Sequence, residues 1–75
     1  MTIKQLEYFM AVARSLSFTE AAAEMFISQP ALSRSIASLE TELGVSLLNR
    51  NPHTVSLTPA GTLLASELQE LRKEL

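Results

Sequence analysis

Four polar side chains suited to flat or charged partners fall between positions 28 and 34: Ser28, Gln29, Ser33 and Arg34. A carboxamide such as Gln29 donates and accepts at once, which matches the adenine edge in a DNA major groove. The guanidinium of Arg34 suits guanine or a phosphate through the same two-pronged geometry. Pro30 and Ala31 between them offer apolar surface to a thymine methyl, and Ser33 can reach a phosphate or a base. Further on, Arg50 and His53 lie in the turn-rich run Asn49-Arg50-Asn51-Pro52-His53-Thr54. His53 at such a turn is first of all an exposed polar residue; against a phosphate it would hold better once protonated, below a pH of about 6.5.

Other chemistry is poorly provided for. The chain has no cysteine, no aspartate and one histidine. Disulfides and thiolate metal sites are excluded, and His53 has no second ligand in view. The serines have no evident base, so a nucleophilic relay is not legible either. Recognition without cofactor or metal is the expectation, and an enzyme is nearly discarded.

The elements that must position these residues are short and helical. Ile3, Leu6, Met10 and Ala13 step by three, four and three, with Phe9 and Val12 widening that face, which predicts a helix over about 3–14. Ser17 stands three residues before Glu20, the spacing of a capping box, with Thr19 as the alternative cap of a short second helix through Met25. Ser28 reads as the N-cap of a third helix, with Pro30 tolerated in its first turn. Leu32, Ile36, Leu39 and Leu43 form its apolar face and read as core, and Gly44 ends it. The opposite face carries Gln29, Pro30, Ser33, Arg34 and Ala37. Val45, Leu47 and Leu48, then Val55-Ser56-Leu57, predict two short strands flanking a loop from Asn49 to Thr54. Thr58-Pro59 opens a last helix on which Leu64, Leu68, Leu71 and Leu75 step by four, three and four, a heptad seam.

Length and composition agree. Seventy-five residues make one small domain, and 47% hydrophobic residues with only 5% aromatics favour helices packed on helices. No secretion signal opens the chain and no run approaches the ~20 apolar residues of a membrane span, so a cytoplasmic location is expected.

Two helices joined by a tight turn, the second with a polar face, form a helix-turn-helix. Ala22 supplies the small residue at the crossing, Met25 closes the first helix, Ile27 anchors the turn, and Leu32 and Ile36 face the core. Phe26 takes the turn position that commonly holds glycine, at a cost of about 1 kcal/mol if φ is positive there.

These residues resemble a known family. Phe18-Thr19-Glu20-Ala21-Ala22, Ile27 through Arg34, Ile36, Leu39-Glu40, Glu42-Leu43-Gly44, Leu47-Leu48, Arg50 and Leu57-Thr58-Pro59-Ala60-Gly61 look like the N-terminal domain of LysR-type transcriptional regulators, and Leu6-Glu7-Tyr8-Phe9 fits as well. The resemblance implies a mainly α winged helix-turn-helix, with a three-helix core and a short β wing, followed by a long linker helix that pairs two subunits. It implies residues 1–58 as the DNA-binding domain and 59–75 as the linker and dimerisation helix. The recognition helix, about 29–43, would lie in the major groove. Ser28, Gln29, Pro30, Ala31, Ser33 and Arg34 would contact DNA there, helped by free N–H groups at the helix start. Arg50 and His53 on the wing would approach the backbone or minor groove, and Leu64, Leu68, Leu71 and Leu75 would form the dimer seam. The wing departs from the family in having Pro52, His53 and Thr54 where more basic residues are usual. Double-stranded DNA with an interrupted palindrome and a second copy of the chain are the implied partners. A small-molecule effector would act only through a C-terminal domain that these residues do not contain. Family members run to roughly 300 residues, more than one domain's worth. The uncapped end at Leu75 reads as a cut within the linker helix.

Charge opposes this reading. The formal sum is −2, and positions 28–58 hold Arg34 and Arg50 against Glu40 and Glu42. Weak non-specific binding and a shallow salt dependence are expected, with affinity drawn from base readout and from pairing two modules. The rival expectation is a winged-helix protein-interaction module that does not bind DNA on its own.

Overall fold

The computed structural model describes residues 1–51 and 54–74. Pro52, His53 and Leu75 lie outside the described residues, so the expectations placed on His53 and Leu75 are not addressed. In chain order the elements are α1 (Ile3–Ser15), α2 (Phe18–Glu24), α3 (Gln29–Leu43), β1 (Leu48–Arg50), β2 (Val55–Leu57) and α4 (Pro59–Glu74).

Local chemistry sets the boundaries. Thr2 and Gln5 close a reciprocal capping box at the start of α1, with Gln5 N donating to Thr2 Oγ1 at 3.1 Å and Thr2 N to Gln5 Oε1 at 3.0 Å. Leu16 ends α1 in the left-handed region at φ 53°. Ser17, not Thr19, caps α2 by accepting from Glu20 N at 3.1 Å. Ser28 caps α3 by accepting from Ala31 N at 3.2 Å. Gly44, at φ 71°, turns the chain out of α3, and Thr58 caps α4 through Gly61 N at 3.0 Å.

The α2–α3 turn is a Schellman closure. Ile27 N donates to Ala22 O at 3.0 Å and Phe26 N to Ala23 O at 3.3 Å, with Phe26 in the left-handed region at φ 59°. A phenylalanine thus holds the glycine-like position that the pattern assigned to it.

The core corrects two expectations. On α1, Phe9, Met10, Ala11 and Val12 are all buried, whereas Ile3 is 76% exposed. Four consecutive buried residues point around most of a helix. That follows because α2, α3 and α4 all pack on α1, so its buried surface is not one stripe. On α3, Leu32, Ile36 and Leu39 are fully buried but Leu43 is 40% exposed. Leu43 is the last residue of the helix, where the chain reverses at Gly44 and leaves that end open.

The hairpin is antiparallel, pairing Leu48 with Leu57, Asn49 with Ser56 and Arg50 with Val55. Asn49 and Arg50 therefore belong to a strand and not to the loop expected from Asn49 onward. Asn51 and Thr54 continue the ladder, Asn51 N to Thr54 O at 3.0 Å and Thr54 N to Asn51 O at 3.4 Å. Leu47 and Leu48 are buried and seat the hairpin on the core. Next to it, α4 comes so close that a Cβ on Gly61 would lie 2.0 Å from Leu47 O.

Candidate nucleic-acid interface

One face of α3 is clear of the core. Gln29, Pro30, Arg34, Ala37, Ser38 and Thr41 are exposed, with Ala31 and Ser33 half-buried beside them. The two outcomes share a cause. Leu32, Ile36 and Leu39 turn inward at spacings of four and three, so the residues between them turn outward. The structure thus brings Ser28, Gln29, Pro30, Ala31, Ser33 and Arg34 together at the N-terminal half of one helix.

Most of the chain's cations are matched by acids. Arg14 pairs with Glu24 at 2.6 Å, Arg50 with Glu40 at 3.3 Å, Lys4 with Glu7 at 3.8 Å and Lys73 with Glu70 at 3.7 Å. The N-terminal ammonium meets Glu42. Among the described residues Arg34 makes no ion pair, so the exposed face of α3 keeps an uncommitted guanidinium.

The start of α3 offers less to an anion than expected. Ala31 N is taken by the Ser28 hydroxyl, Leu32 N by Ser28 O at 3.0 Å, and Pro30 has no N–H. Gln29 N–H is what remains of the first-turn donors among the described residues. A phosphate there would meet one backbone donor and the helix dipole, not a cradle.

Arg50 is placed on β1 but is not free. Its Nη2 donates to Glu40 Oε1, and its guanidinium lies 5.0 Å from the centre of the Phe18 ring. Glu40 is a residue that sequence reasoning missed. Its Oε2 accepts from Leu47 N at 2.7 Å, Leu48 N at 3.2 Å and the Ser46 hydroxyl at 3.4 Å. Those donors lie six to eight residues further on, across the turn at Gly44, where neither helical nor strand spacing signals a partner.

On α4, Leu64 and Leu68 are half-buried against the core, while Leu71 is 55% and Leu63 is 63% exposed. The seam expected of the final helix is therefore divided: its first two leucines pack within the chain and Leu71 faces outward. Between α1 and α4 runs a groove of about 520 Å³ lined by Ile3, Leu6, Met10, Met25, Leu68 and Leu71, among others.

Three helices, a two-stranded wing and a polar outer face on the third helix define a winged helix-turn-helix. Residues 3–62 match the family model described as "Bacterial regulatory helix-turn-helix protein, lysR family", and the chain belongs to that family. It is 54% identical over 63 residues to a probable cat1 operon transcriptional activator of Acinetobacter lwoffii, covering 84% of this chain and 21% of that protein. It is 46% identical to the regulator YybE of Bacillus subtilis, covering 99% of this chain and 25% of the relative. The chain thus spans a fifth to a quarter of the length of these two relatives. Among solved structures, the DNA-binding domain of BenM in complex with catB site 1 DNA superposes with a TM-score of 0.92 at 42% identity, covering 99% of this chain and 82% of that one. BenM itself is a transcriptional regulator of Acinetobacter baylyi. The CbnR DNA-binding domain in complex with DNA gives a TM-score of 0.90 at 36% identity, covering 97% and 84%.

Proposed function

We propose that this chain is the DNA-reading part of a LysR-family transcription regulator and binds an interrupted palindrome as a homodimer. The carrying observation is the outward face of α3, with Gln29 and an Arg34 that makes no ion pair among the described residues, on a fold that matches DNA-bound relatives. Residues 1–58 form the reading unit. In this reading α3 enters the major groove with Gln29 toward adenine, Arg34 toward guanine or a phosphate, and Pro30, Ala31 and Ser33 completing the contact. Ser28 holds the helix start, and the wing with His53 meets the backbone or minor groove.

Residues 59–75 serve as the pairing helix. The exposed Leu71 and Ile3 at the mouth of the α1–α4 groove support that role, because a second copy would cover both. The chain works by binding and not by catalysis, in the cytoplasm, where the chromosome of a bacterium is. No helix among the described residues is long and apolar enough to cross a membrane. Effector control acts through parts of the regulator beyond these residues.

The test is selection from a randomised duplex library with the 75-residue chain at low salt. Enrichment of an interrupted palindrome supports the reading and reveals the bases that Gln29 and Arg34 meet. A folded, dimeric chain that enriches nothing overturns it.

A further inference from the structure

The resemblance implies that Arg50 approaches the DNA backbone from the wing. Its surroundings point to a different task. The guanidinium sits between the Glu40 carboxylate and the face of Phe18, and Glu40 in turn gathers the N–H groups of Leu47 and Leu48 and the Ser46 hydroxyl. Three elements meet here: α2 through Phe18, α3 through Glu40 and β1 through Arg50. The Glu40 side chain is 17% exposed, so its charge is largely withdrawn from water and needs a partner.

We propose that Glu40 is the positioning residue that sets the wing against the recognition helix, and that Arg50 serves by holding Glu40 and Phe18, not by gripping a phosphate. The proposal rests on the DNA-binding reading above. One carboxylate on α3 fixes the backbone leading into β1, so the wing keeps a constant offset from the helix that reads the bases. A guanidinium already neutralised by Glu40 adds little to counterion release when DNA binds. The forked guanidinium reaches the Glu40 carboxylate and the Phe18 face at once, which the single point charge of an ammonium does less well.

The experiment uses Glu40→Gln, Arg50→Met, Arg50→Lys and the double variant Glu40→Gln/Arg50→Met, each checked for folding by circular dichroism. Affinity for the selected duplex is measured across a salt series, and amide hydrogen exchange of Leu47 and Leu48 is followed in the free chain. Arg50→Met should weaken binding about two- to fivefold with the salt slope unchanged. Glu40→Gln should also weaken it, although removing an acid normally strengthens contact with a polyanion. The double variant should be no weaker than the more impaired single one, and Arg50→Lys should fail to restore binding. Exchange at Leu47 and Leu48 should quicken in both Glu40→Gln and Arg50→Met. A salt slope reduced by about 0.9 per subunit in Arg50→Met, full rescue by lysine, or tighter binding by Glu40→Gln would overturn the proposal. If the unaltered chain binds no duplex, the functional reading fails separately. Unchanged exchange at Leu47 and Leu48 in Arg50→Met then overturns the positioning role as well.

Discussion

Replacing Gly61 by alanine sets two general rules against each other. Gly61 lies in the first turns of α4, where helix propensity alone favours alanine by about 1 kcal/mol. Its surroundings oppose the change. The added Cβ would lie 2.0 Å from Leu47 O and 2.9 Å from Leu47 C, whereas real Cβ contacts essentially never fall below 3.0 Å. The obstacle is backbone, so no side chain can swing aside. The start of α4 would have to retreat from the strand lead-in by about 1 Å or more. That same carbonyl accepts from Thr58 N at 3.1 Å, and Thr58 Oγ1 donates to Ser46 O at 2.6 Å, so retreat stretches the bonds that tie α4 to the hairpin. Overpacking costs roughly 1–3 kcal/mol and a weakened hydrogen bond about 1 kcal/mol. Against the propensity gain, the net loss is roughly 1–3 kcal/mol. For a chain of this size that lowers Tm by about 4 to 24 °C. The assay is a circular dichroism melt at fixed chain concentration, with Gly44→Asn as the contrast. Gly44 has nothing within 4 Å of an added Cβ, so asparagine, which tolerates the left-handed region better than other side chains, should cost only that residual backbone strain and less than alanine costs at Gly61. A Gly61→Ala chain melting at or above the parent temperature would refute the close-approach argument.

Phe26→Gly should raise Tm by about 4–8 °C, because it relieves about 1 kcal/mol of left-handed strain while giving up a side chain that is 93% exposed; an unchanged or lower melt speaks against that strain. Gln29→Ala and Arg34→Ala should each weaken binding to the selected duplex by roughly 5- to 150-fold and relax preference at one base pair, read by competition with single-position variants of the site. Equal loss on all sequences would instead mark a phosphate contact. Leu71→Lys should leave the melting of the isolated fold nearly intact, since the side chain is 55% exposed, yet weaken dimerisation about tenfold or more per copy, measured by sedimentation equilibrium. An unchanged dimer constant would remove Leu71 from the interface.

Much of the interface was legible in the sequence because it depends on local rules. Ser28 followed by Gln29-Pro30 specifies where α3 begins, and the rotation of 3.6 residues per turn then sends Leu32, Ile36 and Leu39 inward and Gln29 and Arg34 outward. The caps at Ser17, Ser28, Gly44 and Thr58 and the positive φ of Phe26 follow from chemistry within a few residues, as does the second strand, whereas the first strand runs Leu48–Arg50 and not over Val45 to Leu48. Residue type and spacing also pointed to recognition, because the carboxamide of Gln29 and the guanidinium of Arg34 fall on one helix face in a form suited to base edges.

Tertiary packing decided what local rules leave open. Whether Ile3 or Phe9 leads the buried face of α1 depends on how many neighbours surround that helix, and three do. Leu43 and Leu39 look alike in a periodic pattern, but only one lies where another element covers it. Glu40 and Gly61 gained their importance from partners brought close across a chain reversal, Leu47 above all. Sequence spacing encodes the direction of a side chain about its own helix axis. The distance between two elements, and therefore which charge meets which, is set only when they pack.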